Sequence, residues 1–283
     1  MREHSTIEID IRSFSGLARS ANSMAFYGAM LGFFKDRRRA AVRAEPFPPA
    51  WERVLDENVP YLRTLAPEAR EELIGHVKVL LDEKRFEGCG GLELTDEIRV
   101  TIAAQAAVLL LGRETDYYPD LEVILVYPST YVDRRPRVVE GGIVVEDGEA
   151  RLGESSDRGV VVLAWNSVLR GAADVRDGHN VVFHEFAHQL DQEDGAADGA
   201  PVLDNRAAYA AWARVLGAEY KQLLRSPDPV IDDYGMKSPA EFFAVVTEAF
   251  FERPRALRAR HPALYEQMRD FYKQDPAAAA KAR

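Results

Sequence analysis

The chain has 283 residues, which is enough for one large domain or two modest ones. Hydrophobic residues make up 47% and charged residues 29%, an ordinary globular composition. The net charge of −10 argues against broad nucleic-acid binding, which needs a basic surface. The single cysteine, Cys89, excludes a disulfide within the chain and is compatible with a reducing cytoplasm, where we expect the protein to work.

Residues 1–45 are predicted to form an irregular N-terminal tail, because Pro46 and two further prolines mark the start of the compact part. Residues 24–34 are apolar, and the strongest basic cluster follows them at residues 35–39. A signal peptide carries its positive charge before the apolar stretch, so this order does not match one. The stretch is also too short to cross a bilayer. A short interfacial helix resting on acidic lipid is the alternative to the tail.

Beyond a partly helical stretch at residues 51–65, apolar residues recur at helical spacing in several segments. Two short β-branched runs, at residues 121–127 and 160–165, predict strands, and residues 142–146 predict a weaker strand or hairpin arm closed by the Asp-Gly pair that follows. The fold class predicted is therefore α+β, a mostly helical domain over residues 46–276 with a small mixed β-sheet and a C-terminal tail at residues 277–283. The predicted helices cover residues 67–84, 95–111, 180–191, 205–224 and 238–252, with a last one from residue 261.

The segment at residues 180–191 contains the pattern His-Glu-x-x-His. Residues four apart lie on one face of a helix, so His184 and His188 can direct two imidazoles at one metal ion. Glu185 lies about 100° around the helix, too far to be an obvious ligand but close enough to act as a general base on a water at the metal. The residues between are apolar, which predicts a buried helix. A metal or a dense hydrogen-bond network must therefore partner these groups, and a solvated helix with incidental histidines is disfavoured.

A catalytic zinc needs three protein ligands and one open position, so a third ligand must come from a later segment. Glu241, in the first turn of the predicted helix at residues 238–252, is the strongest candidate, although it could simply complement the helix dipole. Glu248 lies two turns further and could be the ligand instead, or could accept a hydrogen bond from a ligand histidine. Asp191 could play the same supporting role, or could only cap or solvate the end of the helix. Tyr234 could donate a hydrogen bond to an oxyanion, although a tyrosine in a loop more often serves packing.

Several of these segments resemble the Mlc titration factor A family of bacterial zinc peptidases. The resemblance rests on residues 184–191, 194–201 and 239–251 together with Tyr234, and shorter matches occur at residues 126–128, 162–165 and 271–276. It covers roughly residues 50–276, and residues 1–45 have no counterpart in it. It implies a zincin-like metallopeptidase fold with a gluzincin-like site on a helix that carries the His-Glu-x-x-His motif, similar to the catalytic domain of anthrax lethal factor.

The resemblance further implies one zinc ion on His184, His188 and Glu241, with Glu185 as general base and Tyr234 as a transition-state donor. It implies aminopeptidase activity on small peptides and, in the enterobacterial member, binding to the transcriptional repressor Mlc. We therefore predict a zinc-dependent peptidase that acts on a peptide substrate. The alternative is a regulatory protein that sequesters a repressor of the Mlc type and holds zinc only as a structural or vestigial ion. Residues 160–165, just before the motif helix, are predicted to pair with the substrate backbone.

Overall fold

A computed structural model describes residues 21–279, apart from residues 130, 133–136, 140–142, 146–149, 152 and 157–158. The chain divides into two compact units, Met1–Glu45 and Pro46–Arg283. The division falls at the predicted domain start, but the predicted irregular tail is wrong for Ala21–Ala44, which form helix α1. This segment lacks proline and is rich in alanine and arginine, which favour helix. Within the described residues, no helix is both long and apolar enough to cross a membrane.

The second unit is mainly helical, as the sequence predicts. Proline stands in the first turn of many of its helices, where its missing N–H costs nothing and its fixed φ suits the helix. Most boundaries agree with prediction, but α5, α9 and α11 were not predicted. The helices are α2 (Pro49–Asn58), α3 (Pro67–Glu83), α4 (Asp96–Val108), α5 (Trp165–Ala173), α6 (Val181–Asp191), α7 (Arg206–Leu223), α8 (Pro239–Glu252), α9 (Pro254–Arg260), α10 (Pro262–Tyr272) and α11 (Pro276–Ala279).

The C-terminal end departs from the predicted tail. In α11, the side chain of Ala277 is buried and its backbone N–H donates a hydrogen bond to the Tyr265 hydroxyl at 3.0 Å. The chain beyond residue 276 therefore begins with a helical turn docked on α10, and residues 280–283 lie outside the described residues.

A four-stranded sheet lies beside these helices in the order β1-β2-β8-β7. Strands β1, β2 and β8 are parallel, and β7 pairs antiparallel with β8, so the predicted small mixed sheet is confirmed. The strand predicted at residues 142–146 is β5, which pairs with the preceding β4 rather than with a strand after the Asp-Gly pair. The strands are β1 (Arg85–Gly88), β2 (Val123–Tyr127), β3 (Tyr131–Val132), β4 (Arg137–Val139), β5 (Ile143–Val145), β6 (Ala150–Arg151), β7 (Gly153–Ser156) and β8 (Val160–Ala164).

Helix α6 lies at the centre of the second unit, where it packs against α4, α5, α8 and the strands β7 and β8. Its apolar residues are buried, as predicted, except Val181 in the first turn, which is only partly buried. The Phe183 ring packs against Phe251 of α8 with centroids 5.3 Å apart, and the Phe186 ring packs edge-on to Tyr118 at 4.9 Å. Aromatic contacts of this kind bury large areas and fix ring orientation. The apolar face therefore holds α6 in place, while His184 and His188 face carboxylates of α8.

Candidate metal centre

The start of α6 is fixed by the side chain of Asn180. Its Oδ1 accepts hydrogen bonds from two backbone N–H groups of the first helical turn, at 3.0 and 3.1 Å, which is the usual role of an N-cap residue. Its Nδ2 donates to Gln105 of α4 at 2.9 Å and to Glu252 of α8 at 3.2 Å. Its backbone N–H donates to Glu248. One residue therefore connects the start of the motif helix to helices α4 and α8.

The start of α8 is fixed in a similar way. The Ser238 hydroxyl oxygen accepts a hydrogen bond from the Glu241 backbone N–H at 3.2 Å, and Pro239 occupies the first helical position. This cap places Glu241 in the first turn of α8. Because α8 packs lengthwise against α6, the Glu241 carboxylate meets the two motif histidines.

The three side chains converge on one point. Glu241 Oε2 lies 2.9 Å from His184 Nε2 and 3.3 Å from His188 Nε2, and one ligand atom from each of the three residues lies within 4.8 Å of the others. Donor atoms around a tetrahedral zinc ion lie about 3.3 Å apart, given bonds of about 2.0–2.1 Å. Two imidazole nitrogens and one carboxylate oxygen are also a donor set of catalytic zinc sites. The spacing and the donor types therefore fit a metal ion.

Glu248 contacts the opposite side of the first histidine ring. Its Oε1 lies 2.8 Å from His184 Nδ1, whereas Glu241 faces Nε2. A carboxylate at Nδ1 favours the tautomer that carries its proton there and leaves the Nε2 lone pair available to a metal. The sequence left two roles open for Glu248, namely direct metal ligation and a hydrogen bond to a ligand histidine. This geometry favours the hydrogen bond to the histidine.

Asp191 is also buried, but it contacts a different partner. Its Oδ2 accepts a hydrogen bond from the Gly199 backbone N–H at 2.9 Å. Burial raises the pKa of Asp191 to about 6, although this hydrogen bond acts in the opposite direction. The structure records no hydrogen bond between Asp191 and a site histidine in the described part of the chain. Asp191 therefore holds the loop after α6.

The electrostatics of the site attract positive charge. Burial alone would lower the pKa of His184, but hydrogen bonds to Glu241 and Glu248 outweigh it and raise that pKa well above the ordinary value. Burial would raise the pKa of Glu241, but the hydrogen bonds and charges of His184 and His188 lower it below the ordinary range. A carboxylate that stays ionised beside two imidazoles is suited to a divalent cation.

The two predicted catalytic residues flank this cluster. Glu185 is buried on α6, and its negative charge contributes to the raised pKa of His184. Tyr234 lies in the short 3-10 helix Asp233–Met236 before α8, with its ring edge-on to His184 at 5.8 Å between centroids. Its side chain is 44% exposed, and the Lys237 ammonium lies 4.0 Å over its ring. Tyr234 is thus at the solvent side of the cluster rather than in the core.

The prediction that residues 160–165 pair with substrate is wrong. Strand β8 is hydrogen-bonded to β2 on one side and to β7 on the other, so it has no open edge, and Trp165 belongs to α5. Strand β7 packs against α6 and forms one edge of the sheet, opposite β1. Its outer side pairs with no other strand among the described residues.

Sequence reasoning missed three residues of the buried network, namely Gln105, Asn180 and Glu252. Glu252 accepts hydrogen bonds from Asn180 and from the backbone N–H of Gly178 at 3.1 Å, and burial raises its pKa to about 9. Two signals were present in the sequence. Asn180 directly precedes the motif helix, as an N-cap does, and Gln105 interrupts the apolar run of α4.

Comparison with known proteins agrees with the geometry. The family model of the glucose-regulated metallo-peptidase M90 matches residues 33–273, so the match begins earlier than the sequence resemblance predicted. The Synechocystis protein slr2042 is 42% identical over 246 residues, which cover 85% of this chain and 90% of that protein. Mlc titration factor A of Yersinia pestis is 31% identical over 231 residues, which cover 79% of this chain and 84% of that protein.

The Yersinia pseudotuberculosis protein of the same name gives the same values, 31% identity over 231 residues. The family match spans most of the chain and includes α6 and α8, the two helices that bring the histidines and Glu241 together. The chain therefore belongs to the glucose-regulated metallo-peptidase M90 family, the family of Mlc titration factor A that the sequence resembles.

Proposed function

We propose that the protein is a zinc-dependent peptidase whose single zinc ion is held by His184, His188 and Glu241. The observation that supports this most strongly is the convergence of three ligand atoms within 4.8 Å on two rigidly capped helices. The metallopeptidase family implies a metal, and the two imidazoles with one carboxylate favour zinc over magnesium or calcium, which prefer oxygen ligands.

The chain's own groups divide the chemistry between them. Zinc, when bound, supplies Lewis acidity that activates water near neutral pH and polarises the peptide carbonyl. Glu185 takes a proton from the attacking water and later donates it to the leaving amine. Tyr234 donates a hydrogen bond from its hydroxyl to the oxyanion. Its exposed position lets the phenol move toward a bound substrate.

The substrate is an extended peptide that pairs with the outer edge of β7. Addition of a strand to an open sheet edge supplies main-chain hydrogen bonds without requiring a particular side chain. This proposal is supported by the packing of β7 against α6, the helix that carries both histidines of the cluster. We further propose that short peptides are cleaved from the amino end, as the resemblance implies, and that the protein acts in the cytoplasm.

Substitution of the general base tests this proposal. The variant Glu185→Gln should retain zinc but lose hydrolysis of fluorogenic amino-acid and short-peptide substrates by about 10²–10⁴-fold. Glu193→Gln is a matched control, since this residue follows α6 in sequence and is only partly buried. Turnover should also disappear with a chelator and return with zinc. Full activity of Glu185→Gln would exclude Glu185 as the base.

A regulatory function is the second candidate, because relatives of the chain are named Mlc titration factor A. In that case the protein sequesters a transcriptional repressor of the Mlc type and its metal is structural or vestigial. A structural zinc site has four protein ligands, whereas the described residues bring together three. Metal-dependent turnover supports the peptidase. A tight repressor complex with no turnover on a peptide library supports the regulatory protein instead.

A further inference from the structure

Helix α1 carries an exposed face that combines apolar and basic side chains. Met30, Phe33, Phe34 and Arg37 are spaced by three and four residues and therefore lie on one side of the helix. Phe33 is 58% exposed and Phe34 is 55% exposed. Of the seven large hydrophobic side chains exposed among the described residues, three belong to this face. Such clustering marks a binding surface, whereas single exposed hydrophobic residues are ordinary.

The charge of α1 is opposite to that of the chain. Its 24 residues include five basic side chains and one acidic side chain, a net charge of +4, whereas the whole chain carries −10. Subtracting +4 from −10 leaves −14 on all other residues. The basic residues begin directly after the two phenylalanines, so the positive charge and the apolar side chains are adjacent. This surface is complementary to a partner that is both acidic and apolar.

We propose that α1 binds in the plane of an anionic lipid bilayer. At a bilayer surface, apolar side chains enter the boundary of the acyl layer while arginines extend to the headgroup phosphates. Arg37 lies within the apolar face, with its guanidinium 5.9 Å from the centre of the Phe33 ring. A dry protein groove would have to desolvate that guanidinium, whereas a headgroup layer provides it with phosphate partners.

This role agrees with the absence, among the described helices, of one able to span a membrane. An interfacial helix needs an apolar face and a basic flank, not a continuous apolar run of about 20 residues. The interfacial helix that the sequence left as an alternative to an irregular tail thus becomes the favoured role once α1 is seen to be helical. The proposal does not depend on the peptidase activity of the second unit.

Sedimentation of the full-length protein with vesicles tests the proposal. The protein should bind vesicles of phosphatidylcholine that contain phosphatidylglycerol, and should bind phosphatidylcholine alone at least roughly tenfold more weakly. Increasing salt should weaken binding, because the attraction to acidic lipid is screened. The double variant Phe33→Ser/Phe34→Ser should bind at least roughly tenfold more weakly, since it removes apolar area that would enter the bilayer. Arg37→Glu should bind at least roughly fivefold more weakly, since one basic side chain at an anionic surface strengthens binding by a factor of about five.

Leu224→Ser is the matched control, because Leu224 is also 50% exposed but lies outside α1. This variant should bind the vesicles like the unchanged protein, and all variants should unfold at the same urea concentration. Equal binding to neutral and anionic vesicles would overturn the proposal. So would undiminished binding by the phenylalanine double variant, or an equal loss in Leu224→Ser. Binding to an acidic protein but to no vesicle would assign the surface to a protein partner instead.

Discussion

Gly199 lies in the loop after α6 and is in close contact with the start of α8. Its φ of +77° lies in the left-handed region, and its backbone N–H and C=O are held by Asp191 at 2.9 Å and Trp212 at 2.8 Å. A Cβ added here would lie 2.4 Å from the carbonyl oxygen of Pro239, two residues before Glu241. We predict that Gly199→Ala destabilises the protein and displaces Glu241 from the histidines.

The expected decrease in the free energy of unfolding has two parts. A non-glycine residue in the left-handed region costs about 1–2 kcal/mol, and forcing a buried contact costs a further 1–3 kcal/mol or so. Gly195→Ala separates them, because Gly195 has a similar φ of +87° but no heavy atom within 4 Å of its added Cβ. Both substitutions reduce the conformational entropy of the unfolded chain by the same amount. The free energy of unfolding of Gly199→Ala should therefore lie about 1–3 kcal/mol below that of Gly195→Ala.

Urea denaturation of the metal-free variants measures this difference, and chelator competition then measures zinc affinity. Gly199→Ala should bind zinc at least roughly tenfold more weakly than Gly195→Ala, because a shift of Pro239 moves the first turn of α8. Equal stability and equal zinc affinity of the two variants would refute the reasoning that this close contact sets the position of Glu241.

Two further predictions concern the carboxylates of α8. Glu248→Gln should weaken zinc affinity by about 10–100-fold in chelator competition, because an amide has one acceptor oxygen and cannot accept hydrogen bonds from both His184 and Asn180. An unchanged zinc affinity would contradict this prediction. Burial raises the pKa of Glu252 to about 9, so the folded protein keeps a proton that the unfolded chain releases above about pH 4.5. The free energy of unfolding should therefore fall as the pH rises between these two values. Glu252→Gln should reduce that fall by up to about 1.4 kcal/mol per pH unit in urea denaturation, and an unchanged slope would show that Glu252 ionises normally.

The elements that sequence could predict are those fixed by local signals. Helices α6 and α8 have an asparagine or serine cap, and α8 also has a proline in its first turn. The two histidines share a face because their spacing is a property of the helix itself. The choice of Glu241 among several carboxylates required more, and it rested on a capped helix start and on the family resemblance.

The features that sequence missed depend on contacts between distant segments. Strand β1 has four residues, three of them exposed, so it has no apolar alternation and exists because it pairs with β2. The sequence prediction that residues 160–165 pair with substrate is wrong because β7 covers β8 and takes the edge position. That edge position follows from strand order and not from composition. The bonds from Asn180 to Gln105 and Glu252 span 75 and 72 residues and leave no local pattern.

Helix α1 was missed for a different reason. The apolar stretch and the basic cluster were both recognised, but the prolines that begin at Pro46 and the position near the N-terminus favoured an irregular tail. The helix propensity of the alanine and arginine residues in this stretch favours α1 instead. The predicted domain boundary between residues 45 and 46 stays a prediction. The catalytic roles of Glu185 and Tyr234 also stay predictions.

The ligand set is the central claim, and X-ray absorption at the zinc edge of the zinc-loaded protein tests it most directly. The account predicts one zinc per chain, two imidazole ligands and oxygen donors from Glu241 and solvent, with one imidazole missing in His184→Ala. A sulfur ligand, a shell closed by a fourth protein donor, or an unchanged shell in His184→Ala would contradict it.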